Sequence, residues 1–148
     1  MNSNDQRSIP ELIQQQRQFF LNDQTKTYTF RKQQLTKLQH AIKHHQQAIL
    51  DALMKDLHKG EFEAYTTEVG FNLRSIRDTL KHLKSWMTPR KVKGEIFLPF
   101  TSSKVMPEPK GVVLLIGPFN YPFQLVMEPL IGAIAAGNTA IIDRKSVV

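Results

Sequence analysis

Apolar residues follow a helical period up to about residue 90 and an extended or buried-strand pattern after it. Ile9-Pro10-Glu11 through Leu21 reads as a short helix. Pro10 suits a first turn, whose N–H groups have no helical partner, and Leu12, Ile13, Phe19 and Phe20 supply apolar surface. Thr29 is placed to cap a longer helix from Phe30 to about Leu57. Its stripe is Leu35, Leu38, Ile42, Ile49, Leu53 and Leu57, the spacing of one buried face, and Gly60 ends or interrupts it. The third helix has the cleanest stripe: Phe62, Tyr65, Val69, Leu73, Ile76, Leu80, Leu83 and Met87 advance in steps of three or four. Such a near-heptad seam can serve a coiled coil, but the upstream amphipathic helix can fill it without a second chain. Thr88-Pro89 stops it, because the residue before proline is pushed out of the helical region.

From Lys91 to Pro109 the pattern predicts a β-hairpin. Ile96, Leu98 and Phe100 alternate with polar or small neighbours, Ser102-Ser103 can turn, and Val105 and Met106 return. A hairpin alone is marginal in water, so this one needs another sheet or subunit. Val112 to Ile116 is an unbroken apolar run between Gly111 and Gly117, as expected of a strand covered on both faces. Pro122 suits the first turn of a following helix that is apolar nearly all round, and Gly137-Asn138 signals its C-cap. Thr139 to Ile142 is the next strand, which makes residues 111–142 a βαβ unit.

Composition narrows the class. With 41% apolar and 22% charged residues the chain is globular rather than disordered, and without Cys it offers no disulfide, thiolate metal site or Cys nucleophile within these residues. The N-terminus is polar and Gln-rich rather than basic then apolar, and Phe123 to Ile142 carries Glu128, Pro129 and two Gly against a spanning role. A cytoplasmic location and no membrane partner are expected. The net charge of +7, concentrated in Lys81, Lys84, Arg90, Lys91, Lys93, Lys104 and Lys110, admits a basic nucleic-acid-binding helical module. Aromatic interleaving is thin there, so a solvated basic face with no nucleic-acid partner is the expectation. His40 and His44 share a helix face without the acidic partner of a metal motif, and no metal is expected.

Ligands of open α/β sheets bind beyond the carboxyl ends of strands, and Asn120 lies there, stiffened by Pro118 and Pro122. Its amide can donate to a developing oxyanion, or simply bond its own turn. Spacing alone favours the second. Gly117-Pro118-Phe119-Asn120 has one Gly and no phosphate cradle.

Gly111–Asn138 resembles the start of the cofactor-binding domain in the aldehyde dehydrogenase superfamily, whose hallmark is a G-x-W/F-N-Y/F-P turn. Upstream, Asp56-Leu57-His58-Lys59 with Glu61 and Tyr65, then Glu108-Pro109-Lys110-Gly111-Val112, is similar to the class-3-like branch, as is Pro129 through Asn138. The resemblance covers about residues 7 to 142. It implies oxidation of an aldehyde to a carboxylate with NAD or NADP: a Cys thiolate attacks the carbonyl, hydride passes to the nicotinamide, and a Glu-activated water releases the product. On the matching positions, Asn120 is the catalytic oxyanion donor, and Ile116, Gly117, Pro118 and Phe119 lie along the cofactor. Tyr121, Gln124 and Tyr65 line the path of the aldehyde substrate, although Tyr65 also belongs to the helical seam. Glu128 is read as structural rather than as the general base.

The expected fold class is α/β: N-terminal helices plus a β-hairpin leading into the first βαβ of a Rossmann-like cofactor-binding domain, a truncated aldehyde dehydrogenase fold. The expected organisation is a helical segment 1–90, an oligomerisation-type hairpin 91–110, the start of the NAD(P)-binding βαβ 111–142, and a non-native tail 143–148. Where the family continues Lys-Pro-Ser-Glu, this chain has Asp143-Arg144-Lys145-Ser146. Asp-Arg-Lys-Ser-Val-Val is also what the sequencing-adapter stretch GATCGGAAGAGCGTCGTG encodes, and other codons there would contradict that origin. The nucleophilic Cys and base Glu are expected beyond Val148, so the chain alone should not turn over, and the full-length enzyme is expected to be a homodimer. A non-catalytic assembly or binding module is the alternative.

Overall fold

The computed structural model describes residues 8–94 and 101–143. Helix α1 (Ile9–Leu21) starts in a capping box: the Ser8 hydroxyl accepts from the Glu11 N–H at 3.5 Å, and the Glu11 carboxylate accepts from the Ser8 N–H at 2.8 Å. The bond from the Ser8 backbone N–H, and after it one from the Ser8 side chain, hold the Glu11 carboxyl below its ordinary pKa.

The second expected helix is two. Helix α2 (Tyr28–His44) is capped by Thr27 rather than Thr29. The Thr27 hydroxyl accepts from the Phe30 N–H at 3.2 Å, and the helix begins two residues earlier than expected, at Tyr28. At His45 the chain leaves helical geometry, and α3 (Gln46–Leu57) follows. No Gly or Pro marks this break. Two consecutive His are only middling helix formers, and Ile42 and Ile49 stay one heptad apart across it, so the apolar stripe hides the interruption.

The third expected helix is also interrupted. A single turn α4 (Glu61–Ala64) runs into a π-helical turn at Tyr65–Val69, then α5 (Gly70–Met87). A π turn holds one residue more than an α turn and rotates what precedes it off the seam. Phe62, expected on the buried face, is 83% exposed, whereas Val69, Leu73, Ile76 and Leu83 are buried. Together with Leu35, Ile42, Leu50, Leu53, Ala64 and Ile131 they form the core, and α5 packs on both α2 and α6. Fully burying each Val, Leu or Ile side chain among them contributes about 1.5–3 kcal/mol.

Strands β1 (Arg90–Val92) and β2 (Ser103–Val105) pair antiparallel, with Lys91 opposite Lys104. Ser103 belongs to a strand instead of the turn, because it is the ladder partner of Val92. Ile96, Leu98 and Phe100 lie outside the described residues. The basic residues of the hairpin are exposed.

Strand β3 (Val112–Ile116), helix α6 (Gln124–Ala136) and strand β4 (Thr139–Asp143) form the βαβ unit, with β3 and β4 parallel. Gly137 closes α6 in the left-handed region at φ 85°, and the Asn138 N–H bonds the Ala133 carbonyl at 2.9 Å. The Asn138 side chain then accepts from the Gly111 N–H at 2.9 Å, tying the start of β3 to the start of β4. The expectation of a strand covered on both faces does not hold among the described residues. Leu115 is buried, but Leu114 is 61% and Ile116 71% exposed, because α1 and α6 are the elements packed on this two-stranded sheet. Among the described residues no helix is long and apolar enough to cross a membrane.

Candidate active site

Everything at the carboxyl end of β3 depends on how the chain leaves the sheet. The Gly117 N–H bonds the Asp143 carbonyl at 3.2 Å, extending the ladder by one residue. A Cβ on Gly117 would stand 2.3 Å from Val126 Cγ2 of α6, so the strand end can approach the helix only without a side chain. Gly117→Ala should cost about 1–3 kcal/mol as an overpacked contact, and less on a Val126→Ala background; urea titration of the four combinations measures it. Equal costs on both backgrounds would show that the contact is not the cause.

Past Gly117, the residues Pro118, Phe119 and Asn120 are exposed, Phe119 at 75%. Among the described residues no hydrogen bond engages the Asn120 carboxamide. The bond to its own turn that the spacing favoured is therefore not made, and the amide is free to meet a ligand. Tyr121, Pro122 and Phe123 lead into α6, and the Leu125 N–H bonds the Tyr121 carbonyl at 3.0 Å.

Beneath the turn lies a buried ion pair. Glu68, on the π turn, has no exposure, and its Oε1 accepts from Lys59 Nζ. Its Oε2 accepts from the N–H groups of Phe123 at 3.0 Å and Gln124 at 2.9 Å, at the start of α6. Lys59 Nζ also donates to the Asn120 carbonyl at 3.1 Å and stands 3.8 Å from the centroid of the Tyr121 ring. The local sequence explains both placements. His58 ends α3 in the left-handed region at φ 53°, which swings Lys59 inward. Gly70 admits the π turn: a Cβ there would sit 3.0 Å from the Tyr65 carbonyl oxygen.

Taking two charges out of water costs several kcal/mol per ion, and their attraction roughly offsets that, so the intact pair adds little stability. Removing one partner is different, at about 3–5 kcal/mol, because the other charge stays buried. The negative carboxylate also sits where the partial positive charge of α6 favours it.

The expected site residues divide into two groups. Ile116 through Tyr121 and Gln124 form one continuous turn at the strand end, and the ion pair grips it at Asn120 and again at Phe123 and Gln124. Tyr65 opens the π turn and lines a shallow groove of about 710 Å³ with Lys43, Phe71, Arg74 and Arg77, whose lining includes none of the turn residues. Glu128 faces α5, where its Oε1 accepts from Ser75 Oγ at 2.9 Å.

Sequence reading missed Lys59 and Glu68 as a pair. The signal was a carboxylate beside Val69 on an apolar stripe, which needs a partner once buried. It also missed Arg31, a buried cation whose Nη1 donates to the Ala135 carbonyl at 3.1 Å, at the C-terminal end of α6.

A family model for the aldehyde dehydrogenase family matches residues 1–147. The chain belongs to the aldehyde dehydrogenase family. Among similar curated proteins, the 4,4'-diaponeurosporen-aldehyde dehydrogenase of Staphylococcus aureus is 56% identical over 124 residues, which are 84% of this chain and 27% of that protein. Aldehyde dehydrogenase family 3 member A2 of Macaca fascicularis is 42% identical over 88% of this chain and 27% of its own length. The similarity to family 3 members agrees with the class-3-like resemblance. A substrate-bound structure of Staphylococcus aureus AldH superposes with a TM-score of 0.90 at 51% identity, covering 92% of this chain and 30% of that one. A Streptococcus pyogenes succinic semialdehyde dehydrogenase in complex with NADP+ shares the fold, with a TM-score of 0.77 at 15% identity. This chain spans under a third of the length of these relatives.

Proposed function

We propose that this chain is the N-terminal portion of an NAD- or NADP-dependent aldehyde dehydrogenase that oxidises aldehydes to carboxylates. The observation that carries the reading is the exposed Asn120 carboxamide, without a hydrogen-bond partner among the described residues, at the carboxyl end of a parallel strand. When a nucleophile attacks the aldehyde carbonyl, negative charge develops on its oxygen. The Asn120 NH₂ donates to that oxygen, and the two flanking prolines fix the donor beforehand, so no reorganisation is needed during reaction.

The turn suits one end of the cofactor. Ile116 and Phe119 leave open apolar surface beside it, which fits a nicotinamide ring, and the NAD(P) bound there supplies a hydride acceptor. One Gly and no cradle of N–H groups do not fit a pyrophosphate, which other residues must hold. Tyr121 and Gln124 border the aldehyde, with Tyr65 at the mouth of its path. The nucleophile is not supplied by these residues, since the chain has no Cys. The hairpin of β1 and β2 serves dimer assembly in the full-length enzyme.

A graft tests the reading: residues 8–142 replace the matched segment of the Staphylococcus aureus 4,4'-diaponeurosporen-aldehyde dehydrogenase. Aldehyde-dependent NAD(P)H formation is expected from the graft and not from the 148-residue chain alone. A folded graft that does not oxidise aldehyde would overturn it.

A further inference from the structure

We propose that Glu68 and Lys59 are positioning residues that hold Asn120 where its amide meets the developing oxyanion; this rests on the catalytic reading of Asn120. Pro118 to Asn120 are exposed, and among the described residues no strand pairs with them beyond Gly117. What fixes it is the buried pair, which contacts the backbone on both sides of the donor. Lys59 Nζ holds the Asn120 carbonyl itself at 3.1 Å. Glu68 Oε2 holds the two amides that begin α6, at 3.0 Å and 2.9 Å. The Lys59 ammonium also lies over the Tyr121 ring, the residue next to the donor.

Each partner reaches the turn through a local irregularity. Lys59 follows a left-handed His58, and Glu68 sits on the π turn that Gly70 permits. Without the extra residue of that turn, Glu68 would be rotated away from α6. π turns of this kind recur at functional sites. A break-even ion pair also does little for stability on its own, so its placement here is better explained by what it orients.

The test uses the full-length graft. Glu68→Gln removes the counter-charge of Lys59, and Lys59→Met that of Glu68, so each leaves one charge buried and urea titration establishes the folded fraction before kinetics. The double variant, Glu68→Gln with Lys59→Met, leaves no charge buried and carries the test where a single variant unfolds. Each should lower kcat about 10- to 100-fold, the scale of a small misplacement of a catalytic group, while NAD(P) affinity stays unchanged. The deciding readout is a double-mutant cycle. In an Asn120→Ala background, adding Glu68→Gln or Lys59→Met should change kcat by less than about 2-fold, because the residue they position is gone. If Asn120→Ala slows the enzyme but the other variants do not, or slow both backgrounds equally, the positioning role is overturned while Asn120 keeps its own. If Asn120→Ala has no effect, the catalytic reading fails first, and the positioning role with it.

Discussion

Asn120→Ala in the full-length graft lowers kcat by about 10²- to 10³-fold and leaves the KM for aldehyde nearly unchanged. The size follows from the chemistry of a single oxyanion donor, worth about 2.7–4 kcal/mol when removed. The split between kcat and KM follows from timing, since the charge that Asn120 meets exists only once the nucleophile has attacked. Stability should be unaffected, because the carboxamide is exposed and makes no hydrogen bond among the described residues. Steady-state kinetics with urea titration of the same variant separate these effects. A variant that loses KM alone would make Asn120 a binding residue, and one that loses stability would make it structural.

Arg31→Met should destabilise the fold by about 2–4 kcal/mol, read as a fall in urea midpoint at unchanged slope. The Arg31 guanidinium is buried, which pushes its pKa down from the ordinary value, yet arginine stays charged at any working pH. Its Nε donates to the Thr25 carbonyl at 3.0 Å and its Nη1 to the Ala135 carbonyl at 3.1 Å. A Cβ on Gly137 would come within 2.4 Å of Nη2, so the end of α6 lies directly on the guanidinium. Met fills the volume but leaves two carbonyls without a donor and removes a cation from the negative end of α6. Arg31→Lys should fall between, because one ammonium cannot reproduce the planar fork. A Met variant as stable as the parent would mean water replaces both bonds.

The parts of this molecule that the sequence showed are those in which local chemistry and global packing agree. Pro10 opens α1, Gly137-Asn138 closes α6, and the apolar runs 112–116 and 139–142 pair in parallel around it. The turn carrying Asn120 was legible for the same reason, since Gly117 and two prolines leave its backbone few conformations. Three features were hidden. The break at His45 preserves the heptad spacing of its stripe. The π turn leaves no mark in composition and shows itself only through the exposure of Phe62. The pair of Lys59 and Glu68 joins residues on different elements, and periodicity reports which faces are apolar rather than which buried charges meet. The bond that spacing assigned to Asn120 failed for a related reason. Spacing could not reveal that Lys59, from another element, already holds the turn.

The chain belongs to the aldehyde dehydrogenase family, and the contribution proposed for this segment is the strand-end turn with its oxyanion donor. The rate of NAD(P)H formation by the graft, set beside that of the Staphylococcus aureus enzyme with its own N-terminal segment, tests this most directly. Rates within about tenfold of each other are expected, because a correctly placed oxyanion donor transfers with the segment. A graft that folds and binds NAD(P) but forms no NAD(P)H from any aldehyde the parent accepts would contradict the account.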